Sequence, residues 1–364
     1  MIDIEKLRAV NHLVTHADCP DGRASAMIIR DVMPHVKVTF AQYNTDHHKS
    51  LPAEPGMLFC DFSPHPDTVK QFLDVGTLVL DHHRTAKSIV APFVEAGLGA
   101  FGDEVLNRGV CGASLAYTEV WKAFHSSLGE EDDTAAAHRR TVSELAITAG
   151  IRDTWVKESP RFREACEQAD ALTFWPWEKI ESASWRQWKD LLEIGPILYG
   201  RSLTRVDKSI EKAHRFVSPG GRRVMVFEGT KPTSDAAEKM ADSVDLTMGF
   251  MFLVEDGKQK LIYSTRSRGS FDCSAFSAAY GGGGHTNAAG FPQFLQHHTP
   301  QPYALAEMLL AQYEKVEEEW VKIFTSPTFK EIKEPAEVFA KLSSVRLWKD
   351  VWNAPDPRQL SLFP

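Results

Sequence analysis

The first eighty residues alternate short runs rich in β-branched and aromatic side chains with stretches of helical apolar spacing. That alternation points to a parallel sheet with crossover helices. Strands are predicted at 12–16 (HLVTH), 36–43 (VKVTFAQY), 56–62 (GMLFCDF) and 77–80 (TLVL). Helices are predicted at 22–33 and 66–75, the second with Pro66 in its first turn. Region 112–150 reads as mostly helix, broken by a loop near 127–133. Four tryptophans, Trp175, Trp177, Trp185 and Trp188, fall within 171–188 and read as helix packing rather than a base-stacking platform.

With 364 residues, the length suits two domains. The formal net charge of −8 argues against a protein held to long polyanions by bulk positive charge. No apolar run reaches the roughly 18 residues of a membrane span, and the N-terminus lacks signal-peptide and transit patterns, so a cytoplasmic protein is expected. Cys19, Cys60, Cys111, Cys166 and Cys273 are odd in number and contain no CxxC pair. A disulfide framework and a thiolate zinc site are both disfavoured, and any metal is expected on oxygen and imidazole.

The functional signal lies where the predicted strands and helices end, since open α/β sheets bind ligands at their carboxyl edge. The first strand runs into His16-Ala17-Asp18-Cys19-Pro20-Asp21-Gly22, the third into Asp61, and the fourth into Asp81-His82-His83-Arg84. An apolar helical stretch later leads into Asp153. Singly, each is an ordinary cap or turn residue. Together they form an inventory that fits two divalent ions bridged by a carboxylate, with Mn²⁺ or Mg²⁺ favoured by hard donors and Zn²⁺ or Co²⁺ also accommodated. A second Asp-His-His, at 46–48, follows a polar, loop-like stretch. It is assigned a structural or peripheral place, with His47 or His48 at a cleft rim as the alternative.

The ordered set HADCPDG, Asp61, DHH at 81–83 and Asp153 resembles the DHH phosphoesterases, a family of RecJ-type exonucleases, nanoRNases and cyclic-dinucleotide phosphodiesterases. Arg266-Ser267-Arg268 followed by YGGGGHTNAAG at 280–290 resembles that family's associated C-terminal domain of the first subtype. The resemblance spans roughly 8–295. It implies an α/β protein with an N-terminal parallel-sheet DHH domain and a smaller α/β C-terminal domain across a cleft. The implied activity is Mn²⁺-dependent two-metal phosphodiester hydrolysis, with Mg²⁺ or Co²⁺ as alternatives. By the same resemblance His16 and Asp18 bind one ion, Asp61 bridges, and Asp21, His82 and Asp153 bind the second. Asp81 orients His82, His83 faces the scissile phosphate, and Arg84 joins them as a catalytic residue. Many members read His-x-x-x-Asp-x-Asp where this chain reads His-x-Asp-x-x-Asp, which leaves the division of Asp18 and Asp21 between the ions open.

The expected layout is a catalytic domain at 1–195, a linker helix at 196–221, a substrate-binding domain at 222–325 and a tail at 326–364. The stretch 201–223 is basic and reads as a solvated helix face, with contact to a polyanion as the alternative. Gly282, Gly283 and Gly284 permit close backbone approach to a phosphate, and with Arg266, Arg268, His285 and Asn287 they form the expected substrate side. The last residues, Gln359, Leu360, Ser361, Leu362 and Phe363, follow a proline-bearing spacer and resemble the pentapeptide that docks bacterial enzymes on the sliding clamp. The favoured function is an exonuclease releasing 5′-mononucleotides from single-stranded or short oligonucleotides, linked to replication or repair. A cyclic or linear dinucleotide phosphodiesterase and a catalytically silent clamp-associated binding module are the rivals.

Overall fold

The computed structural model describes residues 2–17, 19–43, 45–103, 107–125, 132–229, 233–255, 258–295 and 300–325. Asp18, residues 256–257 and the whole tail with its Gln359–Phe363 motif lie outside the described residues, as does most of the expected loop at 127–133. The chain divides by its contacts into two units, and residues 281–285 group with the first, 1–208.

The first unit is built on a parallel sheet of β1 (His12–His16), β2 (Lys37–Ala41), β3 (Met57–Cys60), β4 (Leu78–Asp81) and β5 (Gly99–Phe101), in the order β2-β1-β3-β4-β5. The strands β3 and β4 are buried at every residue, as expected when both faces of a parallel sheet are covered. Helix Pro20–Val32 begins two residues before its predicted start because Pro20 occupies the first helical position, where no N–H is needed. Its buried Ala24, Met27, Ile28 and Ile29 join one apolar cluster with Leu13, Leu58 and Leu80. Trp188 is buried in the same cluster, and Trp175, Trp177 and Trp185 pack against it, so these rings serve helix packing. The three-residue β5 carries no pattern long enough to read from sequence.

Strand order reverses between β1 and β3, which opens a crevice at their carboxyl ends. Register then fixes what lines it. Thr15 pairs with Cys60 and Cys60 with Leu80, so His16, Asp61 and Asp81 are the next residues on three adjacent strands.

The second unit carries a mixed six-stranded sheet, in the order β10-β11-β9-β8-β7-β6, of β6 (His214–Val217), β7 (Arg223–Glu228), β8 (Leu246–Glu255), β9 (Lys258–Ser267), β10 (Gly283–His285) and β11 (Ala288–Phe294). Here the structure corrects the expected linker helix over 196–221. The helix Gly195–Glu211 ends early, and β6 pairs antiparallel with β7 across the Ser218–Gly221 turn. That pairing depends on β7, which no local period in a basic segment could signal. Two of that segment's cations are accounted for inside the unit: Arg222 pairs with the buried Glu314, and Arg223 with Asp245. Among the described residues no helix is long and apolar enough to cross a membrane.

Candidate metal centre

Asp61 sits at the middle of the row. Its side chain is fully buried, and its backbone takes φ +58°, a left-handed conformation that few non-glycine residues adopt and that recurs at functional sites. The turn aims the two carboxylate oxygens in different directions. Oδ1 lies 3.1 Å from His82 Nε2, while Oδ2 lies 3.9 Å from His16 Nδ1 and makes no hydrogen bond.

Around each oxygen a separate group of donors converges. His16, Cys19 and Asp61 form one set whose ligand atoms lie within 4.8 Å of one another, and Asp21, His82 and Asp153 form another. His82 Nε2 is 3.6 Å from Asp21 Oδ2 and 3.5 Å from Asp153 Oδ2. A third set joins His82 and His83 to His285, whose ring stacks on that of His83 with centroids 5.1 Å apart.

Asp21 and His16 are held from behind. Asp21 accepts N–H bonds from Gly112 (2.6 Å) and Ala113 (2.8 Å), at the start of helix Gly112–Leu115. A Cβ on Gly112 would stand 2.4 Å from that of Asp61 and 2.9 Å from Asp21 Oδ2, so this position must be glycine. Gln42 Nε2–H donates to the Ala17 carbonyl, which presents Gln42 Oε1 to His16 Nε2 at 3.1 Å. His16 therefore donates from Nε2 and keeps the lone pair of Nδ1, which makes no hydrogen bond, on the side of Asp61. Burial and the neighbouring His83 push the His16 pKa down to about 4, so the ring is neutral and able to ligate. Asp153 ends the helix Asp133–Asp153, where a carboxylate is disfavoured by about 0.3–1 kcal/mol against the helix dipole. A residue placed against that preference signals a role beyond the helix.

Asp81 behaves differently from the expectation that it orients His82. Its Oδ1 faces His83 Nδ1 at 2.7 Å and accepts the backbone N–H groups of His82 and His83. Residues two apart on an extended chain share a side, which is why Asp81 meets the ring of His83 and not that of His82. Its Oδ2 accepts from Tyr43 Oη at 3.0 Å and from Ser63 Oγ. Burial opposes ionisation of Asp81, but the charge and hydrogen bond of His83 outweigh it and hold the carboxyl below its ordinary range. Burial likewise opposes His83 protonation, and Asp81 overcomes it, raising His83 to about 10.

The second Asp-His-His lies in helix Asp46–Ser50 and sends nothing into the donor groups. His48 is buried, and its Nε2–H donates to the Ser63 carbonyl at 2.9 Å, so it supports the residue that supports Asp81. Arg84 is exposed at the start of the turn Arg84–Ala86. Arg266 and Arg268 lie in the second unit, both against Ser234, and Arg268 also meets Glu238 at 3.2 Å. Gly281 and Gly284 have positive φ, whereas Gly282 and Gly283 do not. Asn287 takes the Ser267 N–H on its carbonyl.

The residues fit divalent cations on electrostatic grounds. Burial drives Asp61 up to about 8, against the pull of His83 and helped by Asp153 and Asp81. Burial also raises Asp21, with Asp61 and Asp153 adding to it. Acids crowded this closely, with unpartnered oxygens on Asp61 and Asp153, require positive charge to ionise together. His16, Cys19, Asp21, Asp61, His82 and Asp153 are the residues placed to hold it.

No family model and no curated protein match the chain. Among solved structures, the DHH domain of a member of the s1p family of ribosomal proteins matches with TM-score 0.52 at 13% identity, over 85% of this chain and 88% of that one. The fold is that of a DHH domain protein. RecJ from Thermus thermophilus, solved in complex with Mn²⁺, is similar at TM-score 0.47 and 16% identity, over 87% of this chain but 53% of RecJ. An exopolyphosphatase-related protein from Bacteroides fragilis gives TM-score 0.43 at 12% identity, over 86% of this chain and 95% of that one. Gly112, Gln42, Tyr43, Ser63 and Cys19 are parts of this cluster that sequence reading does not assign. Only Cys19 carried a signal, its place inside the first motif.

Two outcomes are expected. Gly112→Ala should cost about 1–3 kcal/mol of stability from overpacking and shrink any rise in melting temperature that a divalent cation produces, measured by thermal scans with and without the ion. Burial lowers the folded His48 pKa to about 4 from 6.5, so its contribution to stability is complete above pH 6.5 and is lost as pH falls through about 4. His48→Gln should therefore flatten the fall in stability over that window in denaturant titrations, and an unchanged slope would remove His48 as its cause.

Proposed function

We propose that the chain is a two-metal phosphodiesterase that hydrolyses single-stranded or short oligonucleotides to 5′-mononucleotides, with Mn²⁺ preferred and Mg²⁺ or Co²⁺ accepted. The observation that carries this reading is the shared position of Asp61, one oxygen toward His16 and the other toward His82, Asp21 and Asp153. Bound there, divalent ions supply the positive charge that ionises water near neutral pH and neutralises phosphoryl oxygens in an in-line displacement.

The chain's own residues supply the remainder. Asp21 is locked by two backbone donors, so its carboxylate does not swing away when the site is loaded. His83, kept protonated by Asp81, has Nε2–H free of that pair and serves as a donor to a phosphoryl oxygen. Arg84 is assigned a catalytic role beside His83, and Arg266, Arg268, Gly282, Gly283, Gly284, His285 and Asn287 are assigned to substrate phosphates, which favours short or end-bound chains over the middle of a duplex. The segment Gln359–Phe363 is assigned to docking on a sliding clamp, in keeping with a replication or repair role.

Purified protein with Mn²⁺, offered end-labelled DNA and RNA of graded length beside cyclic di-AMP and cyclic di-GMP, tests the substrate class. Stepwise release of 5′-mononucleotides is expected, and cleavage confined to the cyclic dinucleotides would overturn it. His82→Ala should lower turnover by about 100-fold or more, while His47→Ala retains most of it; the opposite ranking would reassign the site. Deleting 359–364 should abolish clamp binding in a pull-down with purified clamp and leave oligonucleotide cleavage unchanged.

A further inference from the structure

Cys19 departs from what its position asks of a residue. It is the residue that caps helix Pro20–Val32, where Ser, Thr, Asp or Asn would accept a backbone N–H, yet its side chain forms no capping hydrogen bond. Four of the chain's five cysteines are buried and Cys19 is only partly so. Its Sγ lies within 4.8 Å of the ligand atoms of His16 and Asp61. Two further observations point to a ligand at this spot. Asp61 Oδ2, on a fully buried side chain, has no hydrogen-bond partner, and neither has His16 Nδ1. A sulfur, an imidazole lone pair and an unpartnered carboxylate oxygen thus face one another with no proton donor among them except the thiol itself.

We propose that Cys19 is a metal ligand, so that the ion position shared by His16 and Asp61 is a mixed nitrogen, sulfur and oxygen site selective for borderline-soft divalent ions such as Co²⁺ and Zn²⁺ over Mg²⁺. The inference rests on the two-metal reading above and sharpens it, because the position built from Asp21, His82 and Asp153 keeps hard donors and imidazole only. The two positions then differ in chemistry as well as place. On binding, Cys19 would exchange its thiol proton, released to solvent, for a sulfur–metal bond.

Cobalt makes the sulfur visible, since a thiolate bound to Co²⁺ gives an intense near-ultraviolet charge-transfer band, distinct from the weak visible bands that any Co²⁺ ligand set produces. The full chain, stripped with a chelator and titrated with Co²⁺, should develop both. Cys19→Ser should retain the visible bands and lose the near-ultraviolet one. Visible bands without the near-ultraviolet band in the native chain would overturn the role of Cys19 and leave the two-metal reading standing. No cobalt bands at all would overturn both. If Cys19→Ser does not fold, iodoacetamide labelling of the native chain decides: mass spectrometry should find Cys19 alkylated in the stripped protein and protected by saturating Co²⁺. Equal labelling in the two states would refute the proposal.

Discussion

A carboxylate with one oxygen left without a hydrogen bond, buried at the end of a strand, is the constraint around which the first unit is arranged. Asp61 is held in a left-handed turn that costs of order 1–3 kcal/mol, and it lies among other acids in a setting that resists ionisation. Such a group persists only where the surrounding structure leaves it no alternative. The parallel pairing of β1, β3 and β4 supplies that compulsion, because register alone sets His16 and Asp81 on either side of it. The missing side chain at Gly112 lets a helix start come close enough to hold Asp21 beside it.

Behind this row runs a second layer that reaches the donor groups through a chain of hydrogen bonds. His48 supports Ser63 through its carbonyl, Ser63 and Tyr43 support Asp81, and Asp81 fixes His83. Tyr43 itself is hemmed in by Phe62, with ring centroids 4.2 Å apart. The duplicate Asp-His-His is thus tied to the first by hydrogen bonds although it lies well upstream in the chain, and the two copies do different work. One presents imidazoles to the donor groups. The other keeps the backbone beneath them in place.

The strands and their terminal acids are legible in sequence because burial of a parallel sheet writes a local signature, a continuous apolar run that stops at the mouth. The helix that delivers Asp153 is legible for the same reason. What escapes is whatever depends on approach between distant segments. Gly112 meets Asp21 across 91 residues, and nothing in its neighbours marks it as a position without room for a methyl group. The strand β6 is misread as helix because its partner β7 decides its state. The partnership of Asp81 with His83 escapes because the roles of adjacent motif residues depend on which side of the chain each faces. Sulfur is dismissed by a spacing rule meant for sites made of paired cysteines, whereas Cys19 reaches the donor group through the turn that opens a helix.

The grip of two backbone amides on Asp21 sets the kind of receptor this is. Peptide N–H groups at a helix start cannot rotate away, and Gly112 and Ala113 are committed to their places by the same chain that forms the core. The carboxylate is therefore oriented when the protein folds, before any cation arrives. Loading such a centre needs little ordering of the polypeptide, in contrast to small metal domains whose folding waits for the ion. The empty and filled chains should share one backbone, and exchange of one cation for another becomes a question of ligand chemistry and water release alone.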